Sequence, residues 1–474
     1  MKKLILAVLP VIILSLPSFS QDSKKASSLM EICRSVHVTG IQLIYTKNNK
    51  SQEYGLGVVE KGSDKKVTPN TIFEAASLSK CVFTYAVLRL YDRGLIDLDK
   101  PLLSYIGKYD RFDPADSRYD KITARMVLSH RTGLPNWGDE KYAKLIFTPD
   151  SCFSYSGEGF LFLQRVVEKI TGKTLNQLAN EEVFTPLNMN SSSYEWTSKF
   201  DTVSAFGNSP DQIKRHSNQN AAYSLLTNAH DYRIFLQALI SGTGLKPKTH
   251  EMQLAKATPG NWFNHTPTEA TNHIWWGLGV GIQENEHSTA IWHWGDNGAF
   301  KAFYIVFPAT NESIVYFTHS DKGLFIAPEV IDLFLGKQTT WAIKWIDEGY
   351  NDPYSIKDFR AGLMKQGFDH ADEVMQNLKK KDVAFNLSEH DLNEFGFILL
   401  QQDKNNEALA IFKLNISLNP KSGDLYDSAA EAYKKMGDKK LAIENFKRCV
   451  ELNPKNDYAA EQLKKLQADD TTKP

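Results

Sequence analysis

The last part of the sequence repeats itself with a period of 34 residues. Six positions recur at this spacing: Leu392, Gly396, Leu399, Ala408, Phe412 and Pro420 return as Tyr426, Ala430, Tyr433, Ala442, Phe446 and Pro454. The small residues allow two helices to pack closely, and each proline disfavours helix in the residue before it. A fixed period of this length indicates helical hairpins that bury their apolar faces by stacking on one another.

This repeat resembles the tetratricopeptide repeat, and the resemblance implies a protein or peptide partner for the repeats. We expect the repeats over 389–470, closing with a polar helix at about 459–466. The preceding segment 341–388 is expected to be a linker that includes a degenerate helical repeat. Two clear repeats are few for independent stability, so we expect them to pack on the domain before them. An incidental helical tail is the alternative.

Residues 21–340 have a different character, because strand-like and helix-like segments both occur there. The predicted strands are 41–45, 54–59, 276–282, 302–307 and 313–318, and the predicted helices are 78–93, 159–171 and 231–241. Strands at both ends with helices between them predict an α+β domain whose sheet pairs the two ends of the segment. The helix at 78–93 is apolar on most faces, which predicts that it is buried inside this domain.

Composition limits the classes of partner. The 474 residues are 42% hydrophobic and 23% charged, as in soluble globular proteins. The 55 basic and 56 acidic side chains give a formal net charge of −1. Nucleic acids and charged membrane surfaces attract clustered positive charge, so this balance offers no basis for either partner.

The first twenty residues have the pattern of a cleaved signal peptide. Lys2 and Lys3 precede the apolar run Leu4 to Leu16, and the small residues Ser18 and Ser20 follow it. The apolar run is too short to span a bilayer, which takes about 20 residues. We therefore expect a periplasmic or secreted protein with no membrane span. A buried N-terminal helix is the alternative.

Export would permit disulfides, so the four cysteines need an interpretation. Cys33, Cys81, Cys152 and Cys449 are far apart in the sequence and form no Cys-x-x-Cys pair, which argues against a metal site. We expect them to be free, as small buried apolar residues. A bridge between Cys81 and Cys152 is the alternative, since both flank the residues considered next.

Ser77 and Lys80 stand three residues apart at the start of the predicted buried helix. At this spacing they share one helix face, so the amine can reach the hydroxyl. A serine needs a neighbouring base to become a nucleophile, and lysine supplies one only if burial or nearby positive charge lowers its pKa. A second Ser-x-x-Lys, Ser63 to Lys66, lies in a polar stretch where nothing would desolvate the lysine.

Two further segments carry groups suited to the same chemistry. Tyr155 precedes the helix at 159–171, and a tyrosine beside a lysine can carry protons if that cation lowers its pKa. His293, Trp294, Gly295 and Asp296 lie in a late strand. The glycine would allow a substrate to approach the backbone, and the N–H after it can stabilise an oxyanion. Taken singly, the tyrosine and the histidine are each more often packing residues.

Other chemistries find less support. The sequence contains no Gly-x-Ser-x-Gly and no His-Glu-x-x-His, which argues against an α/β-hydrolase nucleophile and a zinc hydrolase. We expect no cofactor and no metal.

In this order, the elements resemble the serine β-lactamase and penicillin-binding-protein superfamily, especially its class C branch, over about residues 35 to 335. Further landmarks are the segments 71–77, 128–135 and 186–189. The resemblance implies a β-lactamase/transpeptidase-like fold, with an antiparallel sheet flanked by helices and an all-helical subdomain.

The resemblance also implies roles for individual residues. Ser77 would be the nucleophile and Lys80 its base, Tyr155 would carry protons, and His293 would support that network. The backbone N–H groups of Ser77 and Asp296 would form the oxyanion hole. The course would be attack by Ser77 on a carbonyl, an acyl-enzyme, and hydrolysis.

Two positions near the expected site depart from the family pattern. The tyrosine motif usually ends in asparagine, which holds the substrate amide, but here it ends in Gly157. Trp294 stands where the family commonly has a small hydroxyl residue that helps to receive the substrate carboxylate. With Gly295, these residues are expected to contact substrate. Their identity favours an apolar or aromatic acyl group, or a peptide anchored differently, over a β-lactam.

We therefore expect an exported serine hydrolase that cleaves an ester or a small peptide-like amide. A β-lactamase or a D-Ala-D-Ala carboxypeptidase is the first alternative. A scaffold protein with a vestigial site, acting through its repeats, is the second.

Overall fold

A computed structural model describes residues 22–138, 141–207, 218–263, 267–286, 288–347, 354–381 and 385–468. The predicted signal peptide, 1–20, lies outside the described residues. Within those residues, no helix combines the length and apolar character needed to cross a membrane.

Ten strands form one large sheet and one small one. They are β1 (Gly40–Lys47), β2 (Lys50–Gly57), β3 (Phe73–Glu74), β4 (Leu226–Thr227), β5 (Thr258–Pro259), β6 (Ile274–Trp276), β7 (Gly281–Asn285), β8 (Ser288–Asp296), β9 (Lys301–Phe307) and β10 (Glu312–Thr318). The large sheet is antiparallel in the order β2-β1-β10-β9-β8-β7-β6-β5, and β3 pairs with β4. Ile41 pairs with Thr318, so the sheet joins the two ends of this segment as predicted.

Eighteen helices accompany the sheets in the described ranges. They are α1 (Ser23–Ser35), α2 (Ser79–Asp92), α3 (Leu103–Ile106), α4 (Ala124–Leu128), α5 (Gly157–Thr171), α6 (Leu175–Ala179), α7 (Thr185–Leu187), α8 (Ala229–Ser241), α9 (Pro247–Leu254), α10 (Ala327–Leu335), α11 (Trp341–Asp347), α12 (Tyr354–Gln366), α13 (Ala371–Lys381), α14 (Glu389–Gln401), α15 (Asn405–Leu418), α16 (Gly423–Lys435), α17 (Lys439–Leu452) and α18 (Asp457–Ala468). The resulting α+β architecture, followed by an all-helical segment, agrees with the predicted fold class.

Helix α2 lies in the interior, as its broad apolar surface predicted. Its Phe83 ring packs 6.2 Å from Phe160 of α5, and its Tyr85 ring packs 5.9 Å from Phe235 of α8. Burial of these large side chains is favourable because their apolar surface leaves water. The buried helix therefore gives its first turn a fixed position.

A second apolar cluster extends from the sheet to the repeats. Tyr54 of β2 packs 5.2 Å from Phe334 of α10, and Phe325, just before α10, stacks 5.9 Å from Phe397 of α14. The repeats thus share a core with the α+β domain, and the expectation that they pack on it is confirmed.

The repeat helices follow the predicted positions. The pairs α14/α15 and α16/α17 are closed by α18. Gly396 is required where it stands, since a Cβ there would overlap the ring of Phe412. In the described part of 341–388 the structure has three α-helices, α11 to α13. Whether α12 and α13 are a degenerate repeat stays a prediction.

All four cysteines are free, and three of them, Cys33, Cys81 and Cys449, are buried. The expectation that the cysteines are free is confirmed, and burial is confirmed for three of them, since Cys152 is half-buried. The alternative bridge between Cys81 and Cys152 is not formed in this structure.

Candidate active site

Ser77 lies in a short 3₁₀ turn, Ala76–Leu78, that leads directly into α2. Ala76 has φ of 47°, a left-handed conformation that is costly for a residue with a Cβ. Ser79 holds the turn in place: its hydroxyl donates to the Ala76 carbonyl at 2.5 Å and accepts the Leu225 N–H at 3.0 Å. Ser77 itself is partly exposed, while its neighbours are buried.

Lys80 meets Ser77 one helical turn later. Its Nζ lies 3.1 Å from Ser77 Oγ and donates to the Ala222 carbonyl at 2.9 Å. The side chain is buried, and desolvation lowers the pKa of the amine to about 7. A substantial fraction of this amine is therefore neutral near pH 7. Lys66, in the second Ser-x-x-Lys, is exposed.

Tyr155 lies beside both groups. Its ring centroid is 4.7 Å from Lys80 Nζ, and the Ser77 side chain is near enough to influence the pKa of its phenol. Burial raises the pKa of Tyr155 well above its usual value of 10, and the Ser77 contact acts in the opposite direction. The prediction that the neighbouring cation lowers the pKa of Tyr155 is therefore wrong, because burial raises it. In the resting site the phenol is protonated, and Lys80 is the group able to accept a proton.

His130 packs against the ring of Tyr155. The two rings stack at 4.2 Å, and His130 Nδ1 accepts the Ser156 N–H at 3.0 Å. Burial and the nearby Lys80 charge hold the pKa of His130 well below 6.5, so the ring is neutral. This residue fixes the segment that carries Tyr155.

His293 on β8 is also buried and neutral. Its Nδ1 lies 2.7 Å from the Trp294 carbonyl, which requires Nδ1 to be the protonated nitrogen. Burial, together with the Lys80 charge, lowers the pKa of His293 to about 3. Nε2 is therefore an acceptor, and within the described part of the chain it has no hydrogen-bond partner. The ring centroid lies 6.0 Å from that of Tyr155.

Gly295 allows β8 to run directly against the serine turn. A Cβ at this position would lie 2.5 Å from the Ala75 carbonyl oxygen and 3.1 Å from the Ala76 Cβ. The next residue, Asp296, has its carboxylate paired with Lys301 at 2.6 Å. The structure thus brings the end of β8 to the turn that carries Ser77, although the oxyanion role of the two N–H groups stays a prediction.

The two departures from the family pattern have different surroundings. Gly157 lies under the indole of Trp137, where a Cβ would be 2.5 Å from Cζ2. Trp294 is buried, 4.8 Å from the Tyr155 ring and within a cluster that includes Trp276 and Trp345. Any influence of Trp294 on a substrate would therefore pass through Tyr155.

One set of metal-ligand types occurs elsewhere in the described residues. Asp321, His390 and Glu394 place their ligand atoms within 4.8 Å of one another, where α14 meets the loop after β10. His390 Nδ1 lies 3.6 Å from Asp321, and its Nε2 lies 3.6 Å from Glu394, so each ring nitrogen already faces a carboxylate.

Two segments of the chain match models of known protein families. Residues 24–333 match the family model described as Beta-lactamase, which is more than half of the chain. The chain belongs to the beta-lactamase family. Residues 423–456 match the model for the tetratricopeptide repeat, in agreement with the predicted repeats.

Several curated proteins are similar to this beta-lactamase family member. Penicillin-binding protein 4 of Amycolatopsis lactamdurans is 26% identical over 33% of this chain and 45% of its own length. An N-acetylmuramyl-L-alanine amidase of Bacillus subtilis is 24% identical over 65% of this chain and 82% of its own. The AmpH D-alanyl-D-alanine-carboxypeptidase/endopeptidase of Escherichia coli is 24% identical over 33% of this chain and 45% of its own. The chain thus spans less than half the length of two of these relatives.

Solved structures agree on the fold. An octameric penicillin-binding protein homologue from Pyrococcus abyssi has a TM-score of 0.56, with 20% identity, 71% of this chain covered and 81% of that chain. The AmpC D-alanine carboxypeptidase from Burkholderia cenocepacia also scores 0.56, with 15% identity over 66% of this chain and 97% of that chain.

Sequence reasoning had not given a role to His130 or to Trp137, although the family landmark 128–135 includes the first and ends just before the second. Their contacts join positions 20 to 26 residues apart, His130 with Ser156 and Trp137 with Gly157. In the sequence, the signal for these contacts is His130, which stands three residues before the segment Gly133-Leu134-Pro135.

Proposed function

We propose that this chain is an exported serine hydrolase that forms an acyl-enzyme on Ser77 and cleaves an ester or a small peptide-like amide. One observation carries the proposal: the Lys80 amine is buried, has a pKa of about 7, and lies 3.1 Å from Ser77 Oγ. Residues 21–340 would form the hydrolase domain, 341–388 the linker, and 389–470 the repeats.

Acylation would begin when neutral Lys80 accepts the Ser77 proton as Oγ bonds to the substrate carbonyl carbon. The backbone N–H groups of Ser77 and Asp296 would donate to the oxygen that becomes negative. Tyr155 would then donate its proton to the departing alcohol or amine as the C–O or C–N bond breaks. The Lys80 ammonium would return a proton to Tyr155, so the resting protonation is restored.

Deacylation would reverse these roles. A water molecule near Tyr155 would lose its proton to neutral Lys80 as its oxygen bonds to the acyl carbonyl carbon. The Lys80 ammonium would then return a proton to Ser77 Oγ as the bond between Oγ and the acyl carbon breaks. Neutral His293 would support this network as a hydrogen-bond acceptor. Gly295 would let substrate lie close to β8, and Gly157 would lie at the edge of the acyl site. Trp294, which is buried, would act on the site only through the rings that it packs against, Tyr155 and His293.

A β-lactamase or D-Ala-D-Ala carboxypeptidase is the second candidate. The relatives named as penicillin-binding and carboxypeptidase proteins favour it. The absence of an asparagine side chain at Gly157 weighs against it, because losing a polar contact costs discrimination. A scaffold function through the repeats, with a protein or peptide partner, is the third candidate and rests on the repeat match alone.

A substrate panel tests the proposal. Wild type and Ser77→Ala would be compared on p-nitrophenyl esters, an N-acyl p-nitroanilide, nitrocefin and a D-Ala-D-Ala peptide. We expect ester or amide turnover in wild type and a loss of at least about 10³-fold in the variant. Turnover restricted to nitrocefin or to the D-Ala-D-Ala peptide would favour the second candidate. No turnover dependent on Ser77, from folded protein, would favour a scaffold.

A further inference from the structure

We infer that Trp137, together with Tyr223, forms an aromatic wall that selects substrates with an uncharged aromatic or bulky apolar acyl group. This inference rests on the proposed function of Ser77, and it names the substrate class for that site.

Trp137 packs directly against Gly157. Its indole covers Gly157, with a Cβ at Gly157 falling 2.5 Å from Cζ2 and 2.6 Å from Cη2. Gly157 is two residues after Tyr155, so the indole covers the end of the segment that carries the phenol. The space that an asparagine side chain would need is filled by an aromatic face. An apolar surface thus replaces an amide at this edge of the site.

Hydrogen bonds hold the loop that carries Trp137. Asn136 Oδ1 accepts the Gly157 N–H at 3.0 Å, and the Pro135 carbonyl accepts the Ser156 hydroxyl at 2.8 Å. On the other side of the indole, the Gly138 carbonyl accepts from Arg111 at 2.8 Å. Hydrogen bonds on both sides of Trp137 hold it in place although it is 46% exposed. A large exposed aromatic held in this way is suited to bind a ligand with little loss of entropy.

Tyr223 is the second ring of the wall. Tyr223 meets Trp137 edge to face, with centroids 5.6 Å apart and planes at 78°. Tyr223 follows Ala222, whose carbonyl receives the Lys80 amine. The two rings therefore connect the Gly157 side of the site with the Lys80 side. They form a continuous aromatic surface on which an acyl group can lie.

The charged side chains near the wall also bear on which acyl group it can accept. Both lysines near the serine turn are engaged, Lys80 with Ser77 and Ala222, and Lys301 with Asp296. Burial raises the pKa of Tyr223, and the negative charge of Glu74 acts in the same direction. Because both lysines are engaged, neither is free to pair with a carboxylate of a substrate acyl group at the wall, and an uncharged acyl group suits this surface.

The test compares two esters with the same leaving group, p-nitrophenyl phenylacetate and p-nitrophenyl acetate, on the full chain. In wild type we expect a higher kcat/KM for phenylacetate. In Trp137→Ala the ratio of the two kcat/KM values is expected to fall by about tenfold or more, and Trp137→Phe should keep most of it. Trp275→Ala is the matched control, since Trp275 lies on β6 under Lys256 and should leave the ratio unchanged.

Each outcome decides between the claims. An unchanged ratio in Trp137→Ala, with Ser77-dependent turnover intact, would overturn the wall and leave the hydrolase proposal standing. An equal loss on both esters would assign Trp137 a structural role and also overturn it, as would a wild-type preference for acetate. If no substrate of the panel, ester or amide, is turned over in a Ser77-dependent way, the hydrolase proposal fails and the wall fails with it; Ser77-dependent turnover of the anilide without turnover of either ester would overturn the wall alone. Thermal melts of each variant identify any that fail to fold.

Discussion

At the scale of single residues, the site depends on a lysine removed from water. A charged amine is unfavourable in an apolar interior, and the protein responds by holding Lys80 partly neutral rather than by pairing it with a carboxylate. The two buried histidines nearby, His130 and His293, are neutral for the same reason. Burial thus supplies the base and keeps competing cations away from it.

This burial predicts a pH-dependent stability. The pKa of Lys80 is about 7 in the folded chain and 10.5 for an ordinary lysine, so unfolding between these values takes up a proton. The unfolding free energy of wild type should therefore rise with pH relative to Lys80→Met, by about 1.4 kcal/mol per pH unit from pH 7 to 10. Urea unfolding at several pH values measures this difference. Lys66→Met, at an exposed position, should follow wild type. Parallel profiles for wild type and Lys80→Met would refute the shifted pKa.

How much of the site could be predicted depends on the range of each contact. Ser77 and Lys80 meet within one helical turn, and local spacing was enough to foresee their contact. Tyr155 required the family resemblance, since nothing local ties it to Lys80. Trp137 and His130 were given no role because their contacts depend on how a loop folds onto α5. Trp294 was expected to touch substrate, but strand alternation and packing bury it behind Tyr155.

At the scale of elements, the position of β8 against the serine turn decides whether oxyanion donors can converge. Gly295 permits the contact because it has no Cβ, and a side chain there would displace either β8 or the turn. The pairing of β1 with β10 was predictable from strand patterns at both ends of the segment. Helix α11 was not predictable, because its seven residues are too few to show a helical period. It is held by a contact between distant parts of the sequence, in which the Trp345 indole donates to the Gly260 carbonyl at 2.7 Å.

A single methyl group on β8 should therefore impair catalysis. Gly295→Ala would place Cβ 2.5 Å from the Ala75 carbonyl oxygen and shift the proposed oxyanion donor at Asp296. We expect kcat on the preferred ester to fall by about 10²-fold with a smaller change in KM, as for loss of an oxyanion donor. Thr289→Ala, at an exposed position of the same strand, is the control. Wild-type kinetics in Gly295→Ala would show that β8 can move without consequence.

At the scale of the whole molecule, the repeats are joined to the α+β domain through its first helix as well as through the shared core. His37, just after α1, places Nε2 2.7 Å from the buried carboxylate of Asp427 on α16. Arg34 pairs with Glu461 of α18 and lies 5.4 Å from the Tyr458 ring. Helix α1 and the residue His37 just after it therefore contact α16 and α18. The period of 34 predicted the repeat helices, but it carried no information about this contact.

This contact predicts unequal effects for two charge-neutralising substitutions. Asp427→Asn should lower the unfolding free energy by about 1–3 kcal/mol, because the carboxylate is buried and the His37 contact is weakened. Glu461→Gln removes a more exposed pair and should cost less than about 1 kcal/mol. Chemical denaturation followed by circular dichroism measures both. Equal effects would mean that burial at Asp427 does not strengthen the contact between α1 and the repeats.

The central claim is that Ser77 is a nucleophile activated by Lys80. Intact-mass spectrometry after treatment with a fluorophosphonate tests it most directly, with wild type, Ser77→Ala and Ser63→Ala treated alike. The account predicts one covalent adduct per chain in wild type and Ser63→Ala, mapped by peptide digestion to Ser77, and none in Ser77→Ala. A folded wild type that stays unmodified, or an adduct that persists in Ser77→Ala, would contradict it.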